Sequence, residues 1–116
     1  MSELTFSKLR KANVKRCEDV FHPLDSWSPS DWATAMAGEC GEACNNIKKL
    51  RRLDGADADF DTEINRKRLI YETGKELADL VIYADLLAAR LGINLGYMVT
   101  NKFNEVSENR GSKVTL

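Results

Sequence analysis

The sequence predicts an all-α protein, a four-helix, bundle-like domain assembled as an oligomer. Three observations predict it. Apolar residues recur at three- and four-residue intervals in four successive segments, the spacing of one helix face. Apolar runs with the two-residue alternation of a half-buried strand are absent. The chain has only two prolines and seven glycines, and Pro29 and Gly92 stand where a helix should begin and end.

The first helix spans about Thr5 to Phe21 and is weakly amphipathic, with Leu9, Val14, Cys17 and Phe21 as its apolar points. His22 to Trp27 is a connector. Ser28-Pro29-Ser30-Asp31 opens the second helix, with Ser28 as N-cap, Pro29 at the first helical position and Asp31 closing a capping box. This helix runs to about Leu53 on an inward stripe of Trp32, Met36, Ala43, Ile47 and Leu50. Its basic end, Lys48 to Arg52, complements the helix dipole. Asp54 to Thr62 is an acidic loop. Its Asp57-x-Asp59-x-Asp61 spacing is not a calcium loop, because Thr62 stands where the turn glycine belongs and Arg68 where the bidentate Glu belongs. The third helix covers about Glu63 to Arg90, with Ile70, Leu77, Leu80, Val81, Ala84, Leu87, Ala88 and Leu91 facing the core. Asn94 caps a fourth helix, about Leu95 to Asn109, whose inward side is Leu95, Met98, Val99, Phe103 and Val106. The tail from Gly111 to Leu116 is expected to fray.

At 116 residues the chain is read as a single domain over 1–116 with its core over about 27–110. A net charge of −1 supplies no global field for a nucleic-acid polymer or an anionic membrane. No segment is long and apolar enough to span a bilayer, and the polar start lacks a signal-peptide core. Three cysteines make no disulfide framework. The expectation is a cytoplasmic protein, in the host cytoplasm if the chain is viral.

Two acidic motifs carry the chemistry. Glu39-Cys40-Gly41-Glu42 and Glu76-Leu77-Ala78-Asp79 each place two carboxylates three residues apart, on one face of a helix. Glu39 falls inside the apolar stripe of the second helix and Glu42 on its edge. Glu72, Glu76, Asp79 and Tyr83 form an acidic band beside the core stripe of the third. Unpaired charge beside a core is costly. Two such helices face to face would gather four carboxylates, and the natural counter-ion for hard oxygen donors is Mg²⁺ or Mn²⁺. Cys40, Cys44 and His22 raise zinc, but no fourth ligand is evident, and the cysteines read as small apolar residues.

The order of these motifs resembles the MazG-like, all-α nucleoside triphosphate pyrophosphohydrolases, a group related to dimeric dUTPases and dCTP pyrophosphatases. The resemblance rests on Met36-Ala37-Gly38-Glu39-Cys40-Gly41-Glu42-Ala43, on Glu76-Leu77-Ala78-Asp79-Leu80-Val81, and on Lys102-Phe103 in the last helix. It covers about Trp27 to Arg110. The interval between the acidic pairs is longer than is usual there, in the loop from Asp54 to Asn65. The resemblance implies hydrolysis of a (deoxy)nucleoside triphosphate to monophosphate and pyrophosphate, with Glu39, Glu42, Glu76 and Asp79 as metal ligands and catalytic groups. It also implies a homodimer or homotetramer. Lys102, Tyr83, Trp27, Asn104 and Arg110 are the candidate substrate contacts. Each has an alternative: Lys102 can snorkel from the core edge, Tyr83 can be a core aromatic, and Glu72 can be a supporting group or ordinary surface.

Two other function classes compete. A non-catalytic helical module could dock a basic partner on its acidic face, which requires exposed charge that Glu39 does not supply. A di-metal redox bundle would want Glu-x-x-His motifs, and the one histidine, His22, is far along the chain from both acidic pairs.

Overall fold

The computed structural model describes residues 3–56 and 59–116. Four α-helices follow in order: α1 Phe6–Arg16, α2 Pro29–Leu53, α3 Phe60–Arg90 and α4 Leu95–Arg110. No strand occurs among the described residues, so the chain is all-α as expected. None of the helices is long and apolar enough to cross a membrane.

The first helix ends earlier than its periodicity suggests. The Thr5 hydroxyl accepts the Lys8 N–H at 3.0 Å, and α1 runs only to Arg16. Cys17–Phe21 then forms a π-turn, with the His22 N–H donating to the Cys17 carbonyl at 3.0 Å. The wider turn breaks the 3.6-residue register that would have set Phe21 below Cys17. Cys17 is accordingly buried, whereas Phe21 is exposed.

The third helix starts about one turn earlier than expected because Asp59 caps it. The Asp59 carboxylate accepts the Thr62 N–H at 2.7 Å and its carbonyl accepts the Glu63 N–H at 3.1 Å. These are the bonds of an N-cap. The Thr62 backbone bond, and then the Thr62 hydroxyl, hold the Asp59 carboxyl below its ordinary value of 3.8. Asp57, the first position of the rejected calcium loop, lies outside the described residues.

Gly92 and Gly111 take φ of 69° and 74°, the left-handed conformation that ends α3 and α4. The closing bonds are Ile93 N–H to Ala88 carbonyl and Ser112 N–H to Ser107 carbonyl, each 2.8 Å, as in a Schellman motif. Asn94 caps α4 as expected, accepting the Tyr97 N–H at 3.0 Å. The tail expected to fray is exposed and irregular, with its last residue held by a side chain of α4. Leu116 donates to Asn104 Oδ1 at 2.9 Å and accepts from Asn104 Nδ2 at 3.3 Å.

Two compact units form, Ser30–Ala84 and Met1–Pro29 with Asp85–Leu116. In the first, α2 and most of α3 run antiparallel. Trp32 meets Tyr83 at 6.2 Å between ring centroids, and the Leu53 carbonyl accepts from Arg66 at 3.3 Å near the opposite end. Trp32, Ala43, Leu69 and Thr73 are buried, and the Thr73 hydroxyl is satisfied by the Leu69 carbonyl at 2.7 Å.

The buried face of α3 differs from expectation. Ile70, Leu77 and Val81 are 56%, 50% and 47% exposed, while Glu72, Glu76 and Tyr83 are half-buried. The inward line is Leu69, Thr73, Glu76, Leu80 and Tyr83. Two lines along α3 carry comparable apolar content, so the 3.6-residue period alone does not choose between them. Of the acidic band, Glu72, Glu76 and Tyr83 are turned inward and Asp79 is not; of the expected apolar stripe, Ile70, Leu77, Val81 and Leu91 are exposed, while Leu80, Ala84, Leu87 and Ala88 are half-buried or buried as expected.

In the second unit a buried carboxylate organises the packing. Asp85, 1% exposed, accepts from Arg10 Nε at 2.9 Å and from Asn13 Nδ2 at 3.1 Å. Arg10 Nη2 also donates to the Ile93 carbonyl at 2.9 Å. One guanidinium thereby ties α1 to the last turns of α3 and to the α3–α4 turn. Arg90 Nε donates to the Trp27 carbonyl at 2.9 Å and holds the connector.

Candidate metal centre

Glu39 and Glu42 lie one turn apart on α2, and Glu76 lies on the antiparallel stretch of α3. A carboxylate oxygen from each falls within 4.8 Å of the other two. Three of the four carboxylates singled out by their spacing are therefore brought together. Glu39 and Glu76 are half-buried and Glu42 is exposed. No cysteine or histidine joins the group.

Glu39 Oε2 is enclosed by protein and has no hydrogen-bond partner among the described residues. A buried acceptor of this kind normally finds a donor, and leaving one unsatisfied costs about 1–3 kcal/mol. Carboxylate oxygens cannot donate to one another unless a proton is shared. The Glu42 carboxyl lies above its ordinary value of 4.5, first because it hydrogen-bonds Glu76 and then because of that neighbour's charge and partial desolvation. Glu76 is also raised, first by its hydrogen bond with Glu39, against a smaller lowering by Glu42. Both shifts favour the protonated carboxyl, as crowding of like charges does.

Asp79 is exposed and outside the converging trio, although its charge adds to the upward shifts of both Glu42 and Glu76. Its side chain is one methylene shorter than Glu and starts from the solvent edge of α3. Glu72 is paired with Lys75 at 3.3 Å. The donor set is all oxygen, anionic and partly shielded, which suits a hard divalent cation. Oxygens sharing one Mg²⁺ or Mn²⁺ at ~2.1 Å sit roughly 3–4 Å apart, so small side-chain rotations from the present spacing suffice. The orphaned Glu39 oxygen and this donor chemistry both fit such an ion.

A pH dependence follows from the raised groups. Glu42 and Glu76 bind a proton more tightly in the folded chain than in the unfolded one. Their stability contribution is therefore present below the ordinary carboxyl value of 4.5 and is lost as pH rises through the raised values. Thermal melts in EDTA should show the parent losing stability relative to Glu42→Gln as pH rises from 4.5 toward neutrality. Parallel curves for the two proteins would contradict this.

The glycines of the first motif are not there for close approach. A Cβ at Gly38 or Gly41 would meet nothing within 4 Å. Gly41→Ala should stabilise α2 by about 0.5–1 kcal/mol, the usual helix-interior difference. Urea unfolding measures it.

Of the other candidates, one shares the unit of the trio and the rest belong to the second unit. Tyr83, in the same unit, sets its ring at 45° to the buried Trp32. Trp27, Lys102, Asn104 and Arg110 belong to the other unit. The Trp27 ring meets His22 at 4.5 Å between centroids, tilted by 31°. His22 also contacts the Ser26 hydroxyl at 2.9 Å. Asn104 holds the tail. Lys102 is 70% exposed and lies 3.5 Å from Glu105. Lys102 and Arg110 flank an apolar groove of about 710 Å³ on α4, floored by Leu95, Val99, Phe103 and Val106.

Asp85 was not foreseen. A carboxylate between Ala84 and Leu86, inside an apolar run, is the signal for it, since such a group must find a partner. Comparison of the chain with known protein families, with curated proteins and with solved structures finds no match to any of them.

Proposed function

We propose that the chain is a Mg²⁺- or Mn²⁺-dependent hydrolase that cleaves a (deoxy)nucleoside triphosphate to the monophosphate and pyrophosphate. The observation that carries this reading is the convergence of Glu39, Glu42 and Glu76, with an enclosed Glu39 oxygen left without a donor. The MazG-like order of the two acidic motifs supplies the reaction class. Glu39, Glu42 and Glu76 would hold the cation, with Asp79 at the open edge of the site. A divalent ion there supplies positive charge to phosphate oxygens and acidifies a bound water.

The chain's own residues divide the remaining work. Glu39 and Glu76, half-buried on two packed helices, keep their carboxylates in a fixed spacing. Glu42 and Asp79, both exposed, leave the site open to a large anionic substrate. Lys102 and Arg110, which both line the groove on α4, are the proposed phosphate contacts by their charge. Tyr83 is assigned to packing against Trp32, and Asn104 to pinning the tail.

A pyrophosphate-release assay over the standard and several modified (d)NTPs, with Mg²⁺ and with Mn²⁺, tests the reading. At least one triphosphate should be cleaved in a metal-dependent way. Absence of release across the panel, with a basic polypeptide binding instead, would favour the docking-module alternative.

The same reading includes a homodimer or homotetramer. It is supported by the exposed stripe Ile70, Leu77 and Val81 on α3 and by Met98, Phe103 and Val106 on α4, apolar surface of the kind that marks an interface. Static light scattering should give a mass at or above twice the 13.0 kDa chain. Leu77→Lys with Val81→Lys should lower it, and a monomer mass for the parent at micromolar concentration would contradict the assembly.

A further inference from the structure

A second cavity, of about 580 Å³, lies in the unit formed by Met1–Pro29 and Asp85–Leu116, between α1 and the start of α4. It contains none of the acidic cluster. Its volume is in the range of small-molecule sites. Phe6 and Tyr97 line it, 41% and 62% exposed, so two aromatic rings stand open at its surface. Ile93 and Leu95 add apolar floor.

Its charged side chains are two cations and one carboxylate. Arg10 and Lys11 both line the cavity, and Asp85 is the one acidic side chain that does. Asp85 is already engaged by Arg10 Nε and by Asn13. Arg10 is locked by two bonds, from Nε to Asp85 and from Nη2 to the Ile93 carbonyl, while Nη1 has no protein partner among the described residues. Lys11 has none either. A guanidinium fixed on one side and open on the other is pre-organised for an oxyanion, because little side-chain freedom is left to lose on binding. At one point of the wall α4 comes close to Phe6: a Cβ at Gly96 would stand 3.0 Å from Phe6 Cβ.

We propose that this cavity binds a small aromatic anion, its ring against Phe6 and Tyr97 and its carboxylate or phosphate at Arg10 and Lys11. Rings gain from stacking on exposed aromatics, and the anion gains charge-assisted hydrogen bonds. The cavity shares no residue with the acidic cluster.

Titration calorimetry of the full chain in EDTA tests it, with 4-hydroxybenzoate and adenosine monophosphate as probes and inorganic phosphate as the ringless control. At least one ring-bearing anion should saturate near one per chain, about tenfold or more tighter than phosphate. Lys11→Glu and Tyr97→Ala should each weaken that binding about tenfold or more while leaving the thermal melt in place, since both side chains are exposed. Glu76→Gln should bind like the parent. The inference is overturned if neither ring probe saturates, if phosphate binds as tightly, if both cavity variants bind like the parent, or if Glu76→Gln abolishes binding and so moves the site to the acidic cluster.

Discussion

Glu39→Gln and Glu76→Gln should each lower metal-dependent turnover by roughly 10²–10³-fold or more, the scale on which loss of one essential electrostatic group acts. Gln keeps the size of Glu and its helix propensity, so α2 and α3 should survive the change. The apo melting temperature should hold or rise, because each substitution removes one of three crowded carboxylates. Asp79→Asn should cost less than either, because Asp79 contributes charge but lies outside the converging trio. Steady-state kinetics with Mg²⁺ beside circular-dichroism melts separates these cases. A Glu76→Gln variant that behaves like the parent would remove the trio from the proposed chemistry. An Asp79→Asn effect larger than that of Glu39→Gln would show that the site closes around Asp79 when loaded.

Arg10→Ala should destabilise the chain by about 3 kcal/mol, the low end for breaking a buried ion pair, since Arg10 itself is 28% exposed. The cost comes from what remains. Asp85 stays in place at 1% exposure with Asn13 as its partner, and the Ile93 carbonyl loses its donor. Asp85→Asn in the Arg10→Ala background should recover part of the loss, because a neutral amide is less costly to bury than an uncompensated carboxylate. Urea unfolding of the two single variants and the double variant measures the coupling. Additive losses would mean that the pair does not stabilise as a unit.

What could be read from the sequence was mostly local. Pro29 at the start of α2, Asn94 as the cap of α4 and Gly92 as the end of α3 each act through neighbours a few residues away, and each stands where its chemistry places it. Asp59 obeys the same rule as Asn94 but was hidden in a loop crowded with acids, where the composition suggested no helix start. The meeting of Glu39, Glu42 and Glu76 was legible because carboxylates three apart must share a helix face. The exclusion of Asp79 was not, since it depends on side-chain length and on the rotation of α3 about its axis. That rotation also decides which line of α3 is buried. Ile70, Leu77 and Val81 match an inward stripe as well as Leu69, Leu80 and Tyr83 do, and only the packing partner selects between them. For the Arg10–Asp85 pair, the apolar run around Asp85 signals a carboxylate in need of a partner, but local spacing does not name Arg10, 75 residues away.

The most direct test of the central claim is phosphorus NMR of a cleaved triphosphate incubated with the chain, with Mg²⁺ and then with excess EDTA. The expected result is nucleoside monophosphate and pyrophosphate as first products with Mg²⁺, no turnover in EDTA, and none with Glu39→Gln/Glu76→Gln. Turnover that persists in EDTA or in that double variant, or orthophosphate with nucleoside diphosphate as the first products, would contradict it.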